Sequence, residues 1–455
     1  MTTGNDHFGW VLASIAGMII FAAFTAWGGI PAETNIGLFW LQAGIFLLVI
    51  CAFVLAFWHL LIRPLAPNLR QPQSNALTLR ARQALALTLA SGGIATFIGG
   101  VWDELWHRSY GLPFGEDLFW RPHLLMYFGF ATATAAGFWA LLYLNRQLRG
   151  NFQQRFRSNT AVGLLILNAA FLLYALPADP LWHWIFGEDI TAWSIPHLIL
   201  LTSFILTQLL ALHLQASTMR PQPWRSLFGL RRADGLALLI IAAMQLLWLQ
   251  LMLIDWDASL AGVPPESLGL YRPEWLLAAN LLGCVTFTGV LATRLLRCAG
   301  AATAAGLLAL VIRIGLIQLF DADMLQFVAW LAALLPLFAI DLWAYTCGVI
   351  NKREPDWRGT AAAAIASMTI NALVIRSLYN LGDGNNVAYA AAVLTTGLGA
   401  SWFANRVADA LLRQRKAAPA PTSDWVRIKP AASFGILGVF LVFIAFFIMT
   451  ATPPV

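Results

Sequence analysis

Thirteen apolar runs of about 18 to 25 residues follow one another along this chain, and each can cross a hydrocarbon core of about 30 Å as a helix. The composition agrees, because 59% of the 455 residues are hydrophobic and only 11% are charged, too few to cover a water-soluble globule. The sequence therefore predicts an all-α, polytopic transmembrane helical bundle. Its predicted spans are roughly 8–30, 38–62, 83–102, 123–145, 160–177, 196–216, 235–255, 274–293, 299–319, 325–349, 360–379, 386–411 and 432–450.

Basic residues favour one face of this predicted bundle. In bacterial inner-membrane proteins Lys and Arg remain on the cytoplasmic side. Alternation of the spans places most of the acidic residues on the opposite face. We therefore predict a bacterial inner-membrane protein with a cytoplasmic amino terminus and an external carboxy terminus. The basic loops that share the cytoplasmic face are 63–82, 146–157, 220–232, 294–297, 352–358 and 406–429.

Charge and cysteine placement exclude several classes of function. The net charge of +6 is spread over six short loops, without the single basic stripe that a phosphate backbone requires, so no nucleic-acid partner is expected. The four cysteines form no Cys-x-x-Cys pair, which argues against a disulfide framework and a thiolate zinc site. The first apolar run is about 23 residues long and is read as a retained span, not a signal peptide.

Two segments of the chain repeat one motif. Residues 102–123 and 178–197 share the frame Asp-x-x-Trp-His, then Phe-Gly-Glu-Asp, then Trp, then Pro-His. Four of the seven histidines fall in these segments. Under the predicted topology both segments open on the periplasmic side. The repeated carboxylate and imidazole groups indicate metal binding, and the predicted ligands are Asp103, His107, His123, Asp179, His183 and His197.

The spacing explains how each motif would close around an ion. The Asp and the first His are four residues apart, so both point to one side if the helix continues past the membrane surface. The second His follows a proline at the start of the returning helix, where proline fits the first turn. Two imidazoles and one carboxylate leave coordination positions open, which suits copper, non-haem iron or zinc. The competing interpretation is helix capping within an interfacial belt of tryptophans.

The repeat extends to the surrounding helices. Hairpins at 83–145 and 160–216 run in the same orientation, and parallel repeats are expected to lie side by side around an axis normal to the membrane. We divide the chain into a site-bearing transmembrane half, 1–225, and a second transmembrane half, 226–455, whose role the sequence does not indicate.

The second motif, DPLWHWIFGEDITAWSIPH, resembles a segment of the C subunit of the copper membrane monooxygenases, the particulate methane and ammonia monooxygenases. The resemblance implies that Asp179, His183 and His197, and by extension Asp103, His107 and His123, bind copper near the outer membrane surface. The interval between the two histidines is longer than in that family, and Pro196 directly precedes its histidine instead of standing two residues before it. Two departures matter more: that subunit has one such set where this chain has two, and its partner subunits supply other metal sites that this sequence does not show. The resemblance therefore implies a distant relative with twinned sites, without implying methane or ammonia oxidation.

Other polar residues are further candidates. The acids of the Phe-Gly-Glu-Asp elements are read as metal bridges, as acceptors for the histidine N–H groups or as solvated caps: Glu116, Asp117, Glu188 and Asp189. Charged groups inside predicted spans suggest a membrane polar path or structural pairing: Arg313, Asp341 and Arg376. His59 and His213 lie near the inner ends of their spans and would be the ligands of a b-type haem, a weaker alternative.

The first functional expectation is a monooxygenase-like oxidoreductase that uses dioxygen and oxidises a small apolar substrate arriving through the lipid bilayer. Its electrons would come from a donor protein or a quinol. The alternatives are a non-catalytic protein for copper binding, delivery or transport, and a haem-b electron-transfer subunit. The later spans carry no methionine ladder or cysteine pair, which counts against transport.

Overall fold

The structure is a computed structural model that describes residues 36–57, 59–60, 77–110, 120–147, 151–186, 195–219, 223–226, 233–250, 274–319, 333–378, 386–417 and 430–451. These residues are almost entirely helical. In chain order the helices are α1 Ile36–Phe57, α2 Leu79–Tyr110, α3 Arg121–Gln147, α4 Phe152–Ser158, α5 Thr160–Phe186, α6 Ile195–Thr218, α7 Ala233–Gln250, α8 Glu274–Leu296, α9 Ala301–Leu319, α10 Leu334–Ala344, α11 Trp357–Leu378, α12 Asn386–Ala417 and α13 Pro430–Met449. A π-helical turn, Tyr345–Ile350, extends α10.

The all-α prediction is confirmed, and helices occupy the predicted spans from the second to the thirteenth. The first predicted span, 8–30, lies outside the described residues. Within the described part of the chain, six helical segments are long and apolar enough to cross a membrane: Leu79–Asp103, Arg121–Arg146, Ala161–Trp182, Ile199–Thr218, Ala278–Leu296 and Val387–Asp409. Shorter apolar helical segments are Leu238–Leu249, Ala301–Leu316, Leu334–Ile350 and Gly438–Met449. Thirteen crossings remain a prediction.

The helices that carry the repeated motif pack as a ring of four. Helix α2 contacts α3 and α6, and α5 also contacts α3 and α6. Close approaches hold the neighbours together: a Cβ added at Gly137 of α3 would lie 2.1 Å from the Ala169 Cβ atom of α5. Small residues at such crossings let two membrane helices approach closely.

Two apolar clusters fill the bundle, one at each end of the helices. The first contains the second half of α2, from Ile94 to Trp106, and the second half of α7; it lies at the end where the two motifs are found and is called the site-end cluster. The second contains the first halves of both helices; it lies at the end where arginines such as Arg82 and Arg294 are found and is called the arginine-end cluster. In α6 and α8 this order is reversed. The clusters therefore show that neighbouring helices run antiparallel, and that the carboxyl ends of α2 and α5 lie beside the amino ends of α3 and α6.

Arginine side chains hold the helices together at the other end. Arg294 of α8 donates from Nη2 to Asp409 Oδ1 of α12 at 2.7 Å and from Nη1 to Asn405 Oδ1 at 2.9 Å. Two short parallel strands, β1 Arg225–Ser226 and β2 Cys298–Ala299, pair nearby. Because β1 lies at the predicted boundary near residue 225 and pairs with a strand from the second half, the two halves are joined there.

Candidate metal centre

The first motif brings Asp103 and His123 together. Helix α2 continues to Tyr110, past the apolar segment that ends at Asp103. Asp103 and His107 therefore lie one turn apart on a continuous helix, as the prediction required. Helix α3 begins at Arg121, which places Pro122 and His123 in its first turn as predicted. The His123 Nε2 atom lies 3.1 Å from the Asp103 Oδ1 atom, and both side chains are mostly buried, at 15% and 20% exposed.

The second motif repeats this geometry on α5 and α6. The His197 Nε2 atom lies 3.4 Å from the Asp179 Oδ1 atom, and these side chains are more exposed, at 34% and 28%. Helix α5 contains Pro177 and Pro180 on either side of Asp179. Each proline removes a backbone hydrogen bond and loosens the helix locally. Helix α2 has no proline there, so the second pair is built on a less regular helix end.

The first histidine of each motif is described only in its backbone. His107 lies in α2 one turn after Asp103, and His183 lies in α5 one turn after Asp179. Among the side chains that the structure describes, no three of the His, Cys, Asp and Glu residues form a group able to hold an ion. The paired Asp and His are thus observed, whereas the two complete triads remain a prediction.

Tryptophans pack around the first pair. The Trp102 and Trp106 ring centroids are 5.0 Å apart, those of Trp106 and Trp120 are 5.7 Å apart, and that of Trp120 is 5.6 Å from the His123 ring. All three tryptophans are buried, as is Trp182 beside the second pair. Because these side chains are buried inside the bundle, they do not form a belt facing outward. Among the described tryptophans of the two motifs, Trp184, at 84% exposed, is the exception, and Trp193 lies outside the described residues.

Tyr127 packs beside the first pair, and the sequence analysis missed it. It lies one turn after His123 in α3, and the two ring centroids are 6.1 Å apart. Its hydroxyl is within electrostatic range of both Asp103 and Asp179. Leu201 occupies the matching position of the second motif, four residues after His197. The helical spacing of four residues after the histidine was the signal that could have indicated Tyr127.

The last described helix packs against the two helices that carry the first pair. Arg121 donates from Nη1 to the Phe447 carbonyl oxygen at 3.0 Å and to Thr450 Oγ1 at 2.8 Å, and its guanidinium lies 5.4 Å from the Phe447 ring centroid. The Phe447 ring also meets Trp102 edge-on, with centroids 6.3 Å apart. Arg121 therefore anchors the end of α13 against the hairpin that carries Asp103 and His123. No such contact was predicted from sequence.

Asp341 has a structural role at the start of α9. Its Oδ1 accepts from the Ala302 N–H at 3.2 Å, and its Oδ2 accepts from the Thr303 N–H and hydroxyl, each at 2.7 Å. These bonds satisfy amides that a helix amino terminus leaves open. Arg313 lies ten residues beyond Thr303, about 15 Å along the helix. The two charged groups are therefore not neighbours in a polar path, and Arg313 lines a small apolar cavity with Leu246 and Leu337.

The remaining candidate residues are either not described in their side chains or have surroundings that differ from one another. Glu116, Asp117, Glu188 and Asp189 lie outside the described residues, and Arg376 is described only as backbone in α11. His213 is 9% exposed and near Arg82, whereas His59 is exposed. Because one histidine is buried and the other is exposed, their surroundings do not support a haem bound between them.

Comparisons with protein-family models, curated proteins and solved structures gave no match. The likeness to the copper membrane monooxygenases therefore depends on the motif alone.

Proposed function

We propose that this chain is an integral membrane metalloprotein with two metal sites, each built from an aspartate and two histidines. The sites comprise Asp103, His107 and His123, and Asp179, His183 and His197. Copper is the expected metal, with non-haem iron or zinc as alternatives. The observation that carries the proposal is the pairing of Asp with the second His in both motifs, at 3.1 and 3.4 Å.

These distances fit two ligands of one ion. Metal–nitrogen and metal–oxygen bonds of about 2.0 to 2.2 Å put neighbouring donor atoms roughly 2.9 to 3.5 Å apart around an octahedral or tetrahedral ion. The Asp oxygen and the His Nε2 atom of each pair lie within that range. Because each pair joins two helices, the fold fixes the separation of the donor atoms. His107 and His183, the residues predicted to supply the third donor, follow Asp103 and Asp179 by one helical turn in α2 and α5.

The surrounding residues suit an oxidation reaction. Bound copper or iron would supply the activation of dioxygen, which protein side chains alone do not perform. Trp102, Trp106 and Trp120 form a chain of ring contacts that ends on the His123 ring and would limit the access of water to it. Exposed apolar side chains near the second pair, Leu181 and Trp184, would let a small apolar substrate approach through the lipid. We therefore favour a monooxygenase-like oxidoreductase supplied with electrons by a donor protein or a quinol.

The proposed orientation is that of the predicted topology, with both sites near the periplasmic face of a bacterial inner membrane. It is supported by the position of the arginines at the helix ends opposite the pairs. Arg80 and Arg82 begin α2, Arg146 ends α3 and Arg294 ends α8. Basic residues of this kind stay on the cytoplasmic side.

A non-catalytic role in copper binding or delivery is the second candidate. The greater exposure of the Asp179–His197 pair favours it, because an ion held at an open site is readily passed to another protein. This candidate predicts metal binding without oxygen consumption.

The test is the metal content of purified protein and of two variants, His123→Ala and His197→Ala. Each variant is expected to lose the metal of one site, whereas His59→Ala, which lies outside both motifs, should retain all of it. Full retention in both motif variants would refute the assignment. Oxygen consumption by the metal-loaded protein with small hydrocarbons, alcohols or amines then separates the enzyme from the binding protein.

A further inference from the structure

Buried polar side chains form a layer near the boundary between the two apolar clusters, about half-way along the bundle. On α6 the site-end cluster stops at Phe204 and the arginine-end cluster resumes at Leu210. On α8 the corresponding limits are Val285 and Leu291. The polar side chains between these limits are Thr207, Gln208, Thr286 and Thr288, and Asn168 lies at the same boundary on α5.

Gln245 of α7 belongs to the same layer. The Phe204 and Trp248 rings stack with centroids 4.9 Å apart, which sets the relative depth of the antiparallel helices α6 and α7. Gln208 is one turn beyond Phe204 and Gln245 is about one turn before Trp248, so both lie on the same side of the stack. The Cys284 thiol donates to the Leu249 carbonyl oxygen at 3.2 Å. Helices α7 and α8 run antiparallel, Thr288 is one turn after Cys284, and Gln245 is one turn before Leu249. Thr288 and Gln245 therefore lie at the same depth.

Several polar atoms of this layer have hydrogen-bonding capacity that no described protein group takes up. Gln245 is fully buried, and neither its Oε1 nor its Nε2 atom has a partner within the described part of the chain. The same holds for other atoms of the layer and its margin: Asn168 Oδ1, Ser203 Oγ, Gln208 Oε1, Thr286 Oγ1 and Thr288 Oγ1. Buried polar atoms are nearly always paired in folded proteins, with protein groups or with ordered water.

The depth of the layer in the membrane makes hydrogen-bond partners for these atoms more necessary. Gln208 is 11 residues after His197, about 16 Å along α6, which is half the thickness of a hydrocarbon core. An unpaired amide at that depth would be costly, because lipid supplies no hydrogen bonds. Polar groups are kept in such places where they face other polar groups or enclosed water.

We propose that this layer binds a cluster of ordered water molecules, which enter from the arginine end past Arg82 and His213. The ligand is water because the layer offers both donors and acceptors without a charge. His213 is buried five residues beyond Gln208, about 7.5 Å along α6, and its Nδ1 atom also has no partner among the described residues. The proposed water cluster thus forms a hydrated region inside the membrane that is open toward the arginine end. It does not depend on the proposed metal sites.

The first test measures access of a water-borne silver ion, which reacts with thiols, to introduced cysteines. With the four native cysteines replaced by alanine, Thr288→Cys is compared with Leu291→Cys, since both positions are completely buried in α8. In proteoliposomes we expect modification at position 288 to be severalfold faster, and only when silver is added at the arginine end. Equal rates at the two positions would overturn the proposal.

The second test uses the native cysteines and needs no labelling. If the layer is hydrated, Gln245→Leu leaves the bound water without partners and lowers the melting temperature in detergent by a few degrees. If the layer is dry, the same change removes an unpaired amide and raises the melting temperature, which would also refute the proposal. Met244→Leu, a buried apolar exchange at the neighbouring position, should leave it almost unchanged.

Discussion

The Nε2 atom of His123 lies 3.1 Å from Oδ1 of Asp103, although 20 residues separate the two in sequence. The same relation joins His197 and Asp179 at 3.4 Å, across 18 residues. One such close approach of an imidazole nitrogen to a carboxylate oxygen would be weak evidence for a metal site. Its recurrence at the equivalent ends of two hairpins is the basis of the proposed metal sites, and it leads to the following predictions.

The two sites should release metal at different rates. The His197 side chain is about twice as exposed as that of His123, and the Asp179 side chain is somewhat more exposed than that of Asp103. A water-soluble chelator should therefore remove metal in two phases, the faster one from the second site. His197→Ala should abolish the fast phase and His123→Ala the slow phase. A single phase in the unaltered protein would argue against two separate sites of unequal exposure.

Arg121 should control access to the first site. Replacing it with glutamine removes a cation from the Phe447 carbonyl oxygen, the Thr450 hydroxyl and the Phe447 ring. Charged hydrogen bonds of this kind contribute about 1.5 to 3 kcal/mol, so α13 should loosen and the slow chelation phase should accelerate. Arg294→Gln, at the other end of the bundle, is the control and should change stability without changing that phase.

Gly99 should be needed for the geometry of the first pair. A Cβ at this position would lie 2.8 Å from the Pro122 carbonyl oxygen, a backbone atom that cannot rotate away. We expect Gly99→Ala to separate α2 from α3, to cost about 1 to 3 kcal/mol of unfolding free energy and to weaken metal binding at Asp103 and His123. Gly315→Ala, where nothing lies within 4 Å, should do neither. Ala175 already occupies the equivalent position of the second motif.

Asp341 should contribute to stability and not to activity. Its carboxylate binds the amino terminus of α9 from a buried position, so Asp341→Ala should cost about 1 to 3 kcal/mol in chemical unfolding. Asp356 caps α11 from an exposed position, with the Gly359 N–H at 2.8 Å, and Asp356→Ala should cost less. Loss of oxygen consumption in a folded Asp341→Asn variant would instead support a polar path.

Cys298 should be unreactive until the pH is high. Burial raises the pKa of its thiol from an ordinary value of 9.0 to about 11, against the opposing effect of Arg225. Because the pKa is higher in the folded state, the thiol's contribution to stability is complete below pH 9 and is lost as the pH rises through about 11. Alkylation of Cys298, followed by mass spectrometry, should be slow in folded protein at about pH 8 and fast after unfolding. Fast alkylation of the folded protein would contradict this.

The sequence by itself determined the helical class, because apolar runs of this length can satisfy their backbone in lipid only as helices. It also indicated which ends of α3 and α6 carry a histidine, since Pro122 and Pro196 mark the first turn in the sequence. Both are local properties, readable from residues close together in the chain.

Only the tertiary structure decided which distant groups meet. The contact of Arg121 with Phe447, the position of Tyr127 within electrostatic range of both carboxylates and the capping of α9 by Asp341 join residues far apart in sequence. So does the layer that contains Gln208, Gln245 and Thr288. Helical periodicity describes the faces of one helix, whereas these contacts depend on which helices become neighbours and at what depth, and that choice is made by packing over the whole bundle.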